Sequence, residues 1–379
     1  MSTQRFAVLG TRKEGQGIAA AYDLAKFGNT TEVIVVDKDA VAATEAAHEL
    51  NRLLPDKIFL PITLDATDLN AVRGMLCGVD GFVSAMHFDL NLALTELAIE
   101  MRCHMVDLGG NTAVVRNQHK LDKHAKVAGV RIIPDCGMAP GFDVNLACYA
   151  LRKIKHPESV VIYCGGIPEK PLPPLWYHFP FSVKGLVNEC SGYADIIEHG
   201  RLAKHPCLDT IEEVLVPNIG MLEATYTSGG LSTAPWTLHR RYPMLERLEY
   251  KTLRYPGHWR ILQELMRAGN LEHGLVSLAE TTPHDLMDLG IIQVRCEGSG
   301  DTGQKITVII DVLDTHDQKT KFTAMQRLTG FHASIALIAA TETMKCSGVR
   351  GVESIDPRLI VREFARRGIT VNETVAKHG

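Results

Sequence analysis

The chain is predicted to be an α/β protein, a doubly wound parallel sheet followed by an α+β domain that serves substrate and oligomer contacts. Three observations predict this. Short apolar or β-branched runs alternate with helical stretches over residues 1–140. The first run ends in a glycine-rich turn that opens a helix. After Gly137-Met138-Ala139-Pro140-Gly141 the texture changes to strands separated by long connections. With 379 residues, the chain is also longer than the roughly 250–300 at which one hydrophobic core stops growing, so more than one domain is expected.

The first strand is Arg5-Phe6-Ala7-Val8-Leu9-Gly10-Thr11, and the helical stretch Gly17–Ala25 follows it. Glu32-Val33-Ile34-Val35-Val36-Asp37 is β-branched and ends in an acid, and an alanine-rich helix over 40–53 completes a βαβ unit. The alternation continues with Ile58–Ile62 and a helix over 68–77, Gly81–Ala85 and 90–102, His104–Leu108 and 115–128, then Val130–Pro134. About six parallel strands with covering helices make a doubly wound sheet.

Residues 141–325 form the second domain, with one helix leading into strands such as Ser159–Tyr163 and Ile306–Ile310. The segment Ile167–Tyr177 holds four prolines beside Trp176 and Tyr177, too stiff for a helix and too apolar for a linker. It reads either as the lining of a site or as packing between subunits. The apolar run Phe331–Ala340 reads as a long buried helix, so 326–379 is expected to be a C-terminal helical segment returning to the first domain.

Composition narrows the function classes. Hydrophobic residues are 45% and charged residues 22% of the chain, an ordinary globular balance. The net charge of −4, with no basic run, leaves no footprint for nucleic acid. No stretch approaches the roughly 18–20 apolar residues of a membrane span, and Met1-Ser2-Thr3-Gln4-Arg5 leads straight into a strand with no signal peptide, so a cytoplasmic protein is expected. Nine scattered cysteines with no C-x-x-C pair read as reduced thiols, and the 16 histidines form no zinc-like cluster, so no metal is expected.

A dinucleotide site needs a first strand, a glycine turn facing the pyrophosphate at a helix N-terminus, and an acid about 20 residues on for the ribose. The chain offers Gly10, Gly15 and Gly17, then Asp37, and so reads as an N-terminal Rossmann domain. Gly10 and Gly15 fit the first and third glycines of G-x-G-x-x-G, but the middle position is Arg12. Two outcomes are open: the turn is reshaped so that Arg12 meets a phosphate from the side, or dinucleotide binding is lost. A nucleoside-triphosphate loop would need lysine where Gln16 stands. Asp37 suits a ribose 2′-hydroxyl, favouring NAD over NADP, while Lys38 pulls the other way; the alternative for Asp37 is a helix cap. The same logic places Asp65, Ser84, Ala85 and Asn91 at the carboxyl ends of later strands, where an open sheet binds its ligand.

Several segments together resemble the saccharopine dehydrogenase family, in its shorter L-lysine 6-dehydrogenase-like branch. They are Val106–Gly110, Pro134–Gly141, Gly165–Pro168, Thr227–Gly230, Thr252–His258 and Thr323–Met325, in matching order over nearly the whole chain. The resemblance implies NAD-dependent oxidation of the lysine ε-amine carbon to an imine, hydrolysis to 2-aminoadipate 6-semialdehyde with release of ammonia, and a homodimer or higher homo-oligomer. Arg12 stands where members of the family usually carry glycine.

Such chemistry needs a neutral amine, although a lysine ammonium has a pKa of about 10.4, so a base or an apolar pocket is required. His178, beside Trp176 and Tyr177, and His258, after Gly257, are the candidate proton carriers. Arg254 suits the substrate α-carboxylate, with Tyr177, Thr227 and Ser228 as hydrogen-bond donors. Asp107 and Asp135 end strands near the expected nicotinamide, where the alternative for each is a cap on the following turn, and neither is a catalytic candidate. Two rival readings stand: a saccharopine or related carboxyalkyl-amine dehydrogenase, which needs a second carboxylate anchor, and a non-catalytic amino-acid-binding protein that has lost the dinucleotide through Arg12.

Overall fold

A computed structural model describes residues 3–282 and 287–378; Met1 and Ser2 of the N-terminal lead lie outside them. In chain order the first elements are β1 (Phe6–Leu9), α1 (Gly17–Phe27), β2 (Glu32–Asp37), α2 (Ala40–Leu53), β3 (Ile58–Thr63), α3 (Leu69–Met75), β4 (Gly81–Ser84), α4 (Asn91–Glu100), β5 (His104–Asp107), α5 (Thr112–Lys120), α6 (Asp122–Ala128) and β6 (Arg131–Ile133). Next come α7 (Phe142–Leu151), β7 (His156–Pro168), α8 (Val183–Cys190), β8 (Tyr193–Glu198), β9 (Arg201–Pro206), β10 (Glu212–Val216), β11 (Gly220–Tyr226), α9 (Ala234–Arg241), β12 (Arg247–Arg254), α10 (His258–Arg267), α11 (Leu271–Thr281), β13 (Asp288–Ser299) and β14 (Lys305–Thr315). The chain closes with α12 (Ala324–Ile338), β15 (Gly348–Val349), α13 (Pro357–Arg366) and β16 (Val371–His378).

Two compact units result. The first holds residues up to Phe142 together with Gln318–Phe322 and Gln326–Glu363; the second holds Asp143–Asp317, Thr323–Met325 and Phe364 onward. In the first, a seven-stranded sheet runs in the order β15-β6-β5-β4-β1-β2-β3, every pairing parallel. The direction of winding switches between β1 and β4, the place where doubly wound sheets open a ligand crevice at their carboxyl ends. All four residues of β1 are fully buried, as a central parallel strand covered by helices on both faces requires. Pro61 sits in β3, the edge strand, where a missing N–H costs the sheet least. Asp39, Asp68 and Asn111 cap α2, α3 and α5 by accepting backbone N–H bonds. The helix expected over 115–128 is two helices, α5 and α6, which meet at Leu121; its backbone leaves the helical well there and its side chain packs on the core.

The second unit is built on a mixed sheet, β10-β11-β12-β7-β13-β14-β16, with β8 and β9 attached beside β12. Only β12 and β7 pair in parallel, at its centre. Along β12 the alternation sends Leu248, Tyr250, Thr252 and Arg254 to one face and Arg247, Glu249, Lys251 and Leu253 to the other. The proline-rich segment is packed rather than free: Leu175 and Tyr177 are buried in a cluster with Leu186, Cys190, Trp259 and Leu262. Residues 371–378, read from sequence as part of a helical segment, instead form β16, which pairs antiparallel with β14. Val371, Thr374 and Val375 favour an extended chain, and the helix ahead of them stops at Gly368, which adopts a positive φ. Among the described residues no helix is long and apolar enough to cross a membrane, and no group of three or more His, Cys, Asp or Glu is placed to hold a metal ion.

Candidate active site

In the first unit the glycine turn joins β1 to α1. Gly10 has φ +85°, and a Cβ there would lie 2.8 Å from the Ala85 carbonyl oxygen at the end of β4. The close approach of helix to strand falls at Gly17, where a Cβ would run into the Gly10 carbonyl; at Gly15 the nearest atom is the Arg12 carbonyl oxygen at 3.3 Å. Gly17 rather than Gly15 therefore fills the helix-packing role, and the turn is two residues longer than G-x-G-x-x-G, a difference that counting from Gly10 concealed. The extra length is tied down from α12, where the Gln326 amide donates to the carbonyls of Lys13 (2.8 Å) and Gly15 (2.9 Å).

Arg12 projects to the end of β2, where its guanidinium meets the Asp37 carboxylate at 3.4 Å. Asp37 does not cap α2, because Asp39 accepts from Val41 and Ala42 in that role. The turn is thus reshaped relative to G-x-G-x-x-G, with Arg12 turned to Asp37. Gly10, Arg12, Asp37 and Ala85 thus gather at the carboxyl ends of β1, β2 and β4. Ser84 and Asn91 are buried and bond to each other at 2.8 Å. Asp65 lies on the surface, its carboxyl pulled below the usual range chiefly by the Thr67 backbone and hydroxyl, with Lys38 adding to the effect.

Elsewhere in the first unit, the segments Val106–Gly110 and Pro134–Gly141 are joined by the Cys136 N–H donating to the Asp107 carbonyl at 2.7 Å. Asp107, wholly buried, accepts from the Gln118 amide at 2.7 Å and from the Gly109 N–H at 2.8 Å. Burial raises its pKa to about 6 against those bonds. Its Oδ1 caps the turn after β5 by accepting the Gly109 N–H, while its Oδ2 is held by Gln118 of α5.

The second unit gathers the polar residues expected to hold substrate. Arg254, at the end of β12, is 2% exposed; its Nη1 donates to the Leu253 carbonyl at 2.9 Å, and Nη2 reaches the Tyr177 hydroxyl at 3.4 Å and Glu189 at 3.9 Å. Its Nε is buried with no hydrogen-bond partner. The guanidinium also lies over the Tyr177 ring at 4.4 Å, a cation–π contact in a dry setting. Glu189, near the end of α8, accepts from the Thr252 hydroxyl at 2.9 Å, and Thr227 lies 2.7 Å from Thr252. A carboxylate only accepts, so Thr252 donates to Glu189 and Thr227 donates to Thr252. Ser228 differs: its hydroxyl donates to the Asn188 carbonyl at 2.6 Å and its N–H to the Glu189 carbonyl at 2.7 Å, which closes the end of α8.

His258 opens α10, and just ahead of the helix the Gly257 N–H donates to the Glu223 carboxylate at 3.0 Å. Its Nδ1 lies 3.0 Å from the Leu175 carbonyl, which fixes the proton on Nδ1 and leaves the buried Nε2 lone pair unpartnered. Burial, then the nearby Arg254 charge, push the His258 pKa down to about 3 and that of His178 to about 4. Both imidazoles are neutral at pH 7. The Tyr177 ring stands 5.1 Å from His258 and 5.9 Å from His178, so one aromatic side chain links the two histidines to Arg254.

Residues 8–133 match the family model described as the saccharopine dehydrogenase NADP binding domain, and residues 137–369 match the saccharopine dehydrogenase C-terminal domain. The chain belongs to the saccharopine dehydrogenase family. Its first unit is accordingly a dinucleotide-binding domain. Among curated relatives, the saccharopine dehydrogenase [NADP(+), L-glutamate-forming] of Pyricularia oryzae is 24% identical over 56% of this chain and 48% of its own length. The mitochondrial alpha-aminoadipic semialdehyde synthase of Mus musculus is 30% identical over 42% of this chain and 18% of its own. The chain therefore spans about half or less of these relatives. In fold it is similar to apo saccharopine dehydrogenase (L-Glu forming) from Saccharomyces cerevisiae, with a TM-score of 0.79 and 17% identity over 98% of this chain and 100% of that one. The homospermidine synthase of Legionella pneumophila, solved with NAD, gives a TM-score of 0.62 at 13% identity over 99% of this chain and 92% of that one.

Within this member of the saccharopine dehydrogenase family, sequence reasoning passed over three side chains that complete the two sites. Thr252 lay inside a resembling segment and was not singled out. Glu189 stands in an unremarked helical stretch, and only the fold places it beside Arg254. Gln326 is more than 300 residues from the turn it ties, a separation across which no spacing rule operates.

Proposed function

We propose that this chain oxidises the ε-amine carbon of L-lysine, with NAD as the hydride acceptor. The observation that carries the reading is Arg254, a buried guanidinium whose Nε has no partner, on the face of β12 that also presents Tyr250 and Thr252. A buried, incompletely satisfied guanidinium is suited to a bidentate bond with a carboxylate, here the α-carboxylate of an amino acid. Tyr177 lies over that guanidinium, and its hydroxyl is within reach of the same carboxylate.

The reaction removes a hydride from C6 and a proton from the amine nitrogen, leaving an imine. Water adds to the imine carbon, and loss of ammonia gives 2-aminoadipate 6-semialdehyde. The bound dinucleotide would supply the hydride acceptor. Asp37 would hold its ribose hydroxyls, and the Gly10–Gly17 turn would take its pyrophosphate against the start of α1. His258 presents an unpartnered Nε2 that accepts a proton from the amine or from the attacking water, while its Nδ1–H stays on the Leu175 carbonyl. His178, also neutral, is the second group able to accept a proton. Because burial holds both imidazoles near pKa 3 to 4, neither keeps a proton taken from an ammonium, and the amine must enter largely neutral.

A second reading is favoured by the name of the Pyricularia oryzae relative, a saccharopine dehydrogenase. Saccharopine carries further carboxylates and calls for a second anchor; on the site face of β12, Arg254 is the one cation. The test is turnover of L-lysine with NAD against saccharopine with NADP, followed through reduced-nicotinamide absorbance. Lysine-dependent reduction supports the proposal; turnover of saccharopine with none of lysine replaces it with the second reading.

A further inference from the structure

The ion pair between Arg12 and Asp37 bears on which dinucleotide the first unit accepts. An acid at the end of the second strand holds a ribose 2′-hydroxyl, and an arginine nearby accommodates a 2′-phosphate. This chain has both, in contact.

We infer that the Arg12–Asp37 pair is a two-way ribose site: Asp37 holds the 2′-hydroxyl of NAD, and Arg12, released from Asp37, holds the 2′-phosphate of NADP. The inference rests on the dinucleotide role of the first unit and is independent of the amine substrate.

The two partners are held very differently. Asp37 is 5% exposed in its side chain, and its Oδ1 also accepts the Asp39 N–H at 3.1 Å, so its position is set by its own backbone turn without Arg12. The Arg12 side chain is 51% exposed, and among the described residues Asp37 is its one ion-pair partner, through a single nitrogen at the long end of hydrogen-bond range. Among the described residues, four of its five N–H donors have no bonded partner and can meet another anion. Its backbone, in contrast, is pinned: the Gly15 N–H donates to the Arg12 carbonyl at 2.9 Å, and Gln326 holds the carbonyls on either side of Glu14. A fixed Cα with a mobile charged head lets the guanidinium exchange one oxyanion for another while the turn keeps its shape. Lys13 and Lys38, both exposed, add positive charge at the same rim; they bear on Glu49 and Asp65, on the elements flanking the end of β2.

The contact is single and long, at 3.4 Å, and its guanidinium is half exposed, so breaking it is a small obstacle to a dianionic 2′-phosphate. NAD would leave the pair intact, its 2′-hydroxyl donating to the Asp37 carboxylate.

The experiment measures binding and not turnover. The full chain, Arg12→Ala and Asp37→Asn are each titrated with NADH and with NADPH by calorimetry, with adenosine 2′,5′-bisphosphate against AMP as probes lacking the nicotinamide. The native chain is expected to bind both dinucleotides. Arg12→Ala should weaken NADPH and the bisphosphate by about ten- to a hundredfold, the loss of a charge-assisted bond, and leave NADH and AMP within about threefold. Asp37→Asn should weaken NADH and spare NADPH. The inference is overturned if the native chain binds NADH alone, or if Arg12→Ala moves both dinucleotides together or neither. Failure of the native chain to bind any of the four ligands would overturn it too, and would remove the glycine-turn site with it, a result separable from NADH binding that simply ignores Arg12.

Discussion

At the residue scale, Arg254 bears the substrate reading. Arg254→Lys keeps the charge but loses the planar fork and the contact with the Tyr177 ring, so KM for lysine should rise about ten- to a hundredfold while kcat changes less, measured by steady-state kinetics. An equal loss in both constants would place Arg254 elsewhere in the reaction. His258 couples the site to pH. Its folded-state pKa near 3 lies below the unfolded value of about 6.5, so the unfolded chain takes up a proton first as pH falls. The stability it contributes is fully present above about pH 6.5 and is lost progressively toward pH 3, by up to roughly 1.4 kcal/mol per pH unit. His258→Gln, which retains a donor for the Leu175 carbonyl, should flatten the acid limb of stability against pH in urea unfolding; an unchanged limb would remove His258 as its cause. In turnover, kcat/KM should climb through the alkaline range as the amine loses its proton, with no inflection near pH 6.5.

At the element scale, the β1–turn–α1 unit is the most sharply constrained piece of the molecule. Gly17→Ala would drive a methyl group into the Gly10 carbonyl and should destabilise the fold by about 1–3 kcal/mol and weaken dinucleotide binding, read from the urea midpoint and from calorimetry. Gly15→Ala, with its nearest atom at 3.3 Å, should cost less; the reverse ranking would return the packing role to Gly15. Gln326→Ala leaves the Lys13 and Gly15 carbonyls without their amide and should weaken dinucleotide binding more than it weakens α12. These elements also mark how far the sequence could be read. The strands of the first sheet were legible because buried parallel strands are continuous apolar runs, and Asp37 because an acid closes β2. The exact turn was not, because a glycine's role depends on what approaches it, and Gly15 and Gly17 differ only in that. Nor was β16 legible, since an exposed edge strand carries no strong apolar alternation and is defined by its partner β14.

At the scale of the whole molecule, the two halves were legible in different ways. The dinucleotide half follows from local order, strand, turn, helix, acid, each within about 30 residues of the last. In the second half His178, Tyr177, Thr227, Arg254 and His258 belong to short segments well separated along the chain, and the fold of the second unit brings them beside one another. What the segments could not convey was Glu189 and the direction of its hydrogen bonds with Thr252 and Thr227. The proposed activity is oxidation of a free amine, in a family that includes a curated relative named saccharopine dehydrogenase. Purified chain mixed with L-lysine and NAD at alkaline pH, with saccharopine in a parallel sample, tests it most directly through reduced-nicotinamide absorbance. Reduction that depends on lysine and releases ammonia in equal amount is expected; reduction with saccharopine alone, and none with lysine, would contradict the proposed activity.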